Sequence, residues 1–196
     1  MAEWLKAHAW KACRTKVHAG SNPVLSANMI SNLYNKSIIH SEKFNLSPNE
    51  IWNIISRESN LEDYHPFCRS NTPIEWNKKN HSDQLEYLNG TMLERHFISW
   101  VENKGYDLYI GRKDGKKSHV SWRIKRISDH QTDLSIEVHP WIFNKGNRFI
   151  EFIPFELFVR PRLKSYLKSV LGGLKWYVVN QKRTPRNHFG KIKWFS

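Results

Sequence analysis

The 196-residue chain is poor in several things, and each shortage excludes a class of protein. It has two cysteines, Cys13 and Cys68, too few for a disulfide framework, which points to a reducing compartment. No apolar run approaches the length of a membrane-spanning helix, so a soluble, cytosolic protein is expected. There are no internal repeats, no low-complexity blocks and no phosphate-binding glycine loop; Gly111-Arg-Lys-Asp-Gly115 reads as a hairpin turn. Metal ligands do not cluster either. His65 and Cys68 are close, but His96, His119 and His139 lie elsewhere, and a structural zinc site needs four ligands. No metal and no permanent cofactor are expected.

Acid is also scarce, 18 Asp and Glu against 31 Lys and Arg, giving a net charge of +13. The excess sits largely at the ends. Lys6, Lys11, Arg14 and Lys16 against Glu3 make residues 1–28 +3, and residues 181–196 hold five cations and no acid. Solvated basic termini are the default; a contact with nucleic acid or an anionic membrane through them would be non-specific. Nucleic acid is not the expected partner.

Residues 1–28 differ in character from the rest. They are alanine-rich and lack strand alternation. Gly20-Ser-Asn-Pro23 resembles one reading frame of the transfer-RNA T-arm consensus GGTTCGAATCC, and Ala2-Glu-Trp-Leu-Lys-Ala7 fits a D-arm in the same frame. The segment resembles a read-through translation of a serine transfer-RNA gene, with Met29 as the natural start. The competing reading is a basic targeting peptide. Either way it is expected to lack order and to stand outside the domain.

What is abundant is aromatic and patterned. The chain is 13% aromatic, with nine Trp. A first strand is predicted over 36–46. Ser47-Pro-Asn-Glu50 then has the form of a capping box opening a helix that buries Ile51, Trp52, Ile54 and Ile55 and ends near Ser59-Asn60. A short turn covers Leu61–Tyr64, and His65-Pro-Phe67 turns the chain at a cavity mouth. Strands are predicted at 73–76, 84–88, 91–102, 106–110, 119–127 and 133–139, with polar Asn77–Asp83 as a hairpin loop and Asn89-Gly90 as a tight turn. Tyr106, Leu108 and Ile110 share a face, as do Val120, Trp122 and Ile124, and Leu134, Ile136 and Val138, the mark of an antiparallel meander with one apolar side. After a looser connection, Trp141–Ile153, a long helix runs from Pro161. Leu163, Tyr166, Leu167, Val170, Leu174, Tyr177 and Val178 form its stripe, with Lys164, Lys168 and Lys175 off it. Gly172-Gly173 inside that helix implies close backbone packing or, alternatively, room for a bound molecule. The order gives an α+β architecture, a curved antiparallel sheet wrapped around one long C-terminal helix.

These elements resemble the START-like superfamily (SRPBCC), which spans birch-pollen-allergen-like proteins, lipid-transfer START domains and polyketide cyclase/dehydrase-like proteins. The resemblance rests on Phe44-Asn-Leu-Ser-Pro-Asn-Glu-Ile-Trp-Asn-Ile-Ile55, Tyr64-His-Pro-Phe67, Asn89-Gly90 with Arg95 and Trp100, Gly105–Gly111, Val120-Ser-Trp122 and the long helix. The ending Arg186–Phe195 is similar to an uncharacterised bacterial-type branch. The likeness covers residues 36–196 and implies a helix-grip domain over 29–184, with 185–196 as a basic, aromatic tail packing on it.

It also implies a cavity for a hydrophobic or amphipathic small molecule between sheet and helix. Strand parity gives Trp76, Tyr87, Phe97, Tyr106, Leu108, Trp122, Ile136 and Val138 as its sheet lining, and Tyr166, Val170, Leu174 and Tyr177 as its helix lining. The opposing possibility is that these large side chains fill the core. Arg95, mid-strand, either holds an anionic group of the ligand or pairs with Glu86, Glu94 or Asp107. The expected function is that of a carrier or sensor. The alternative is a cyclase/dehydratase-type enzyme with His65, His139, Glu94 or Asp107 as acid/base groups. Cys68 would need a lowered pKa to act as a nucleophile. Lys191-Ile-Lys-Trp-Phe-Ser196 either docks on the domain or touches a membrane or partner; docking is the expected state.

Overall fold

The computed structural model describes residues 36–142, 144 and 152–196, and the expectations for residues 1–28 lie outside this set. Seven strands, β1 (Ile38–Phe44), β2 (Cys68–Trp76), β3 (His81–Tyr87), β4 (Met92–Val101), β5 (Gly105–Gly111), β6 (Lys117–Ser128) and β7 (Gln131–His139), form one antiparallel sheet in the order β1-β7-β6-β5-β4-β3-β2. Helices α1 (Pro48–Ile55) and α2 (Leu61–Tyr64) link the two edge strands, and α3 (Arg160–Asn180) is the long C-terminal helix. The architecture is the helix grip expected from the meander and the terminal stripe. No helix among the described residues is long and apolar enough to cross a membrane.

α1 starts as its sequence dictates. The Ser47 hydroxyl accepts the Glu50 N–H, and the Glu50 carboxylate accepts the Ser47 N–H at 2.7 Å. It is shorter than expected, ending at Ile55. The Asn60 side-chain amide donates back to the Ile55 carbonyl, and Ser59 adopts a left-handed φ of 54°, so the chain is turned out of helix before Asn60.

Five strands begin earlier than the alternation shows, β5 by one residue and β7 by two, at Gly105 and Gln131. β2 starts at Cys68 rather than Pro73; Pro73 is tolerated because β2 is an edge strand with bulges at Cys68/Ser70 and Pro73/Glu75. β3 starts at His81, so Asp83 belongs to a strand and not to the loop. β6 starts at Lys117. The β4–β5 turn depends on Gly105: at φ 127° a Cβ would lie 2.0 Å from the Trp122 carbonyl oxygen.

A π-helical turn, Phe155–Val159, leads into α3, burying Phe155 and Val159. Leu163, Leu167, Val170, Leu171 and Leu174 then form the buried stripe, while Lys164, Lys168 and Lys175 are exposed. Gly172-Gly173 serves packing rather than a ligand. A Cβ on Gly173 would stand 2.1 Å from the Tyr64 carbonyl oxygen, and one on Gly172 would meet the Phe189 ring at 3.1 Å. The close approach is fixed by Thr184, whose hydroxyl donates to the Gly173 carbonyl and whose N–H donates to the Asp63 carbonyl, both at 2.8 Å.

Past α3 the tail folds back across the α2–β2 turn. Asn187 N–H donates to the Pro66 carbonyl at 2.9 Å, and the Asn89 amide in the β3–β4 turn donates to the Trp194 carbonyl at 2.9 Å. Phe195 packs at a tilt against Tyr166, with ring centres 4.2 Å apart, and against Tyr87 at 4.9 Å.

Candidate functional site

The strand directions divide the inner face of the sheet into two ends. The β3–β4 and β5–β6 turns and the end of β7 lie at one end; the β4–β5 turn and the end of β2 lie at the other. The second end is filled. Trp100 stacks on His81 at 3.9 Å and on Tyr106 at 5.4 Å, and Trp52, Trp76 and Phe97 pack edge-on around them. The first end is hollow. A cavity of about 570 Å³ lies there between the sheet and the N-terminal half of α3.

Of the residues expected to line it, Tyr87, Arg95, Leu108, Trp122, Ile136, Val138, Tyr166 and Val170 do so. Trp76, Phe97, Tyr106, Leu174 and Tyr177 do not. The first three belong to the aromatic cluster at the filled end; Leu174 is buried core, and the Tyr177 hydroxyl accepts from Arg57 at 2.9 Å near the surface. Parity assigned the face correctly but carries no information about depth along a strand. Leu85, Ile110 and Val120, of the same parity as Tyr87, Leu108 and Trp122, also face the cavity, as do Leu163 and Leu167 of the stripe. Phe195 and Trp194 close part of it from the tail, a placement no local pattern signals.

Arg95 points inward, but it is not free for a ligand. Its guanidinium grips both oxygens of Asp83, the residue directly opposite in register, with Nε to Oδ1 at 2.7 Å. Both are buried. Burial opposes the Arg95 charge, yet the attraction and hydrogen bonds of Asp83 outweigh it and hold the group firmly cationic. The acids expected as partners lie on the outer face instead: Glu86 pairs with Arg69, Glu94 with His96, and Asp107 with Arg123 and Ser121.

His65 is buried in the cavity wall rather than standing at its mouth. Its Nδ1 accepts the Phe67 N–H at 3.2 Å, and its Nε2 contacts the Tyr166 hydroxyl at 2.8 Å, which in turn contacts the Tyr87 hydroxyl at 2.9 Å. Burial, seconded by the Arg95 charge, pushes the His65 pKa down to about 3. Burial likewise pushes Tyr87 up to about 12 and raises Tyr166 well above the usual phenol range. The Cys68 thiol, also buried, is pushed up to about 12, the reverse of what a nucleophile needs. At neutral pH this end of the cavity is therefore a set of neutral hydrogen-bonding groups beside one internally compensated ion pair.

No known protein family and no curated protein matches the sequence. Solved structures do match in shape. A START superfamily protein from Mycobacterium smegmatis superposes with a TM-score of 0.55 at 12% identity, covering 74% of this chain and 99% of that one. The fold is START-like. Protein TTHA0849 from Thermus thermophilus gives 0.56 at 12% identity, covering 74% of this chain and 99% of its own. DynU16, from the dynemicin biosynthetic locus, gives 0.56 at 11% identity over 77% of this chain and 50% of that one. At such identities the START-like likeness concerns the fold, and the function must be argued from the site.

Proposed function

We propose that the protein binds a hydrophobic or amphipathic small molecule in the cavity between sheet and α3, as a carrier or sensor. The observation that carries this reading is the cavity itself. Its volume falls within the roughly 300–1,000 Å³ of small-molecule sites, and its wall is mostly apolar with a few convergent polar groups.

Binding without turnover is favoured over cyclase/dehydratase chemistry by where the titratable groups lie. His139, Glu94 and Asp107 are on the sheet face turned away from the cavity. His65, the one acid/base candidate in the wall, has Nδ1 occupied by a backbone donor and a pKa of about 3. A general base works best with a pKa near the working pH.

Titration with N-phenyl-1-naphthylamine, a neutral apolar fluorophore, tests the reading. One probe per chain should bind with a blue-shifted emission, and Val170→Trp, which adds bulk to the wall, should abolish binding while leaving the circular dichroism unchanged. No binding by the native chain would sink the proposal.

A further inference from the structure

Three polar groups in the cavity wall have more protons than contacts between them. His65 Nδ1 accepts the Phe67 N–H, so that nitrogen carries no proton. The buried ring is neutral, so its proton is on Nε2, which donates to the Tyr166 hydroxyl at 2.8 Å. Tyr166 and Tyr87 then share a single O···O contact of 2.9 Å. Three N–H and O–H donors meet two contacts, and one proton is left over however the hydroxyls turn. Donors in series polarise one another, so the order His65 to Tyr166 to Tyr87 is favoured and the spare proton is that of Tyr87. Tyr87 is only 2% exposed and lines the cavity. A buried donor without an acceptor is costly, and a ligand oxygen would relieve it.

We propose that the Tyr87 hydroxyl anchors the ligand, and that the ligand is a neutral apolar molecule bearing a carbonyl-type oxygen, a ketone, ester or amide, rather than a carboxylate. The inference rests on the cavity being a binding site. Charge decides between the two oxygens. Arg95, the buried cation of this wall, is already neutralised by Asp83, so a carboxylate brought to Tyr87 would leave water with no net positive charge to receive it. Arg112 and Lys116 belong to the exposed β5–β6 turn at the cavity rim and stay hydrated.

The test compares 2-acetylnaphthalene with 2-isopropylnaphthalene, which differ by a carbonyl oxygen in place of a methyl group, together with 2-naphthoate, on the full chain. Tyr87→Phe should lower the ratio of ketone to hydrocarbon affinity about fivefold, the size of one net neutral hydrogen bond. The carbonyl stretch of the ketone bound to the native chain should lie below its position in hexane and return toward it in Tyr87→Phe. Naphthoate should bind more weakly than the ketone. If both neutral probes bind but the ratio and the stretch ignore Tyr87→Phe, or if naphthoate binds best, the anchor is wrong and the cavity reading survives. If neither neutral probe binds the native chain, the cavity reading fails and the anchor with it.

Discussion

Arg95 and Asp83 face each other in register on β4 and β3, a two-point ion pair buried at the wall of a mostly apolar cavity. Neither could be left there alone. Asp83→Asn keeps the shape but strands the guanidinium, and breaking a buried pair costs about 3–5 kcal/mol. Urea denaturation of the variant should show that loss. Replacing both residues by Leu and Met should recover much of it, because the pair contributes little net stability once its desolvation is counted.

The two adjacent glycines of α3 should behave oppositely. Gly173→Ala forces a Cβ against the Tyr64 carbonyl, a backbone atom that cannot move without shifting α2, and should destabilise by at least about 1–3 kcal/mol. At Gly172 the neighbour is the rim of the half-exposed Phe189 ring, which can give way. Gly172→Ala should be neutral or stabilise by up to about 1 kcal/mol through helix propensity. Thermal denaturation of both variants checks the pair.

The helix cap gives a smaller, local effect. Ser47→Ala removes the side-chain acceptor for Glu50 N–H and should cost about 1 kcal/mol. Ser47→Asp should retain most of the stability. Denaturant midpoints of the two variants measure this.

Stability should fall in mild acid. Burial holds His65 near a pKa of about 3 and His119 near about 4 in the folded chain. In the unfolded chain both titrate near about 6.5. Between those values the unfolded state binds the extra protons, so stability is full above about pH 6.5 and declines as pH falls. Each histidine contributes a slope of about 1.4 kcal/mol per pH unit in that window. Glu137, held near about 2 by hydrogen bonds from His139 and then from Ser37, adds a further loss below about pH 4.5. His65→Phe should reduce the slope between pH 6.5 and 4 by one proton, read from urea midpoints across pH.

The fold was legible where side chains alternate cleanly. Tyr106–Ile110, Val120–Ile124 and Leu134–Val138 announce their strands, and Ser47 with Glu50 announces α1. It was hidden where polar residues face inward. Asp83 and Arg95 violate alternation together, and with Asp83 read as loop, Arg95 had no visible partner on its own face. The site was legible only in part. Period-two spacing says which side of the sheet a residue faces, and so found Trp122, Ile136 and Tyr87. It could not say that Trp76, Phe97 and Tyr106 crowd one end while the other stays open. That division arises from Trp100 and Trp52, which bring the aromatic cluster together across β4 and α1. The Tyr87–Tyr166–His65 series joins residues up to 101 positions apart, which no local pattern encodes.

Native mass spectrometry of the chain purified without detergent from its own cells, alongside its Val170→Trp variant, most directly tests whether the cavity holds a ligand. The native chain should carry one apolar small molecule, recovered chemically unchanged on extraction, and the variant should fly bare. Bare mass for both, persisting when excess N-phenyl-1-naphthylamine is added, would overturn the proposed binding.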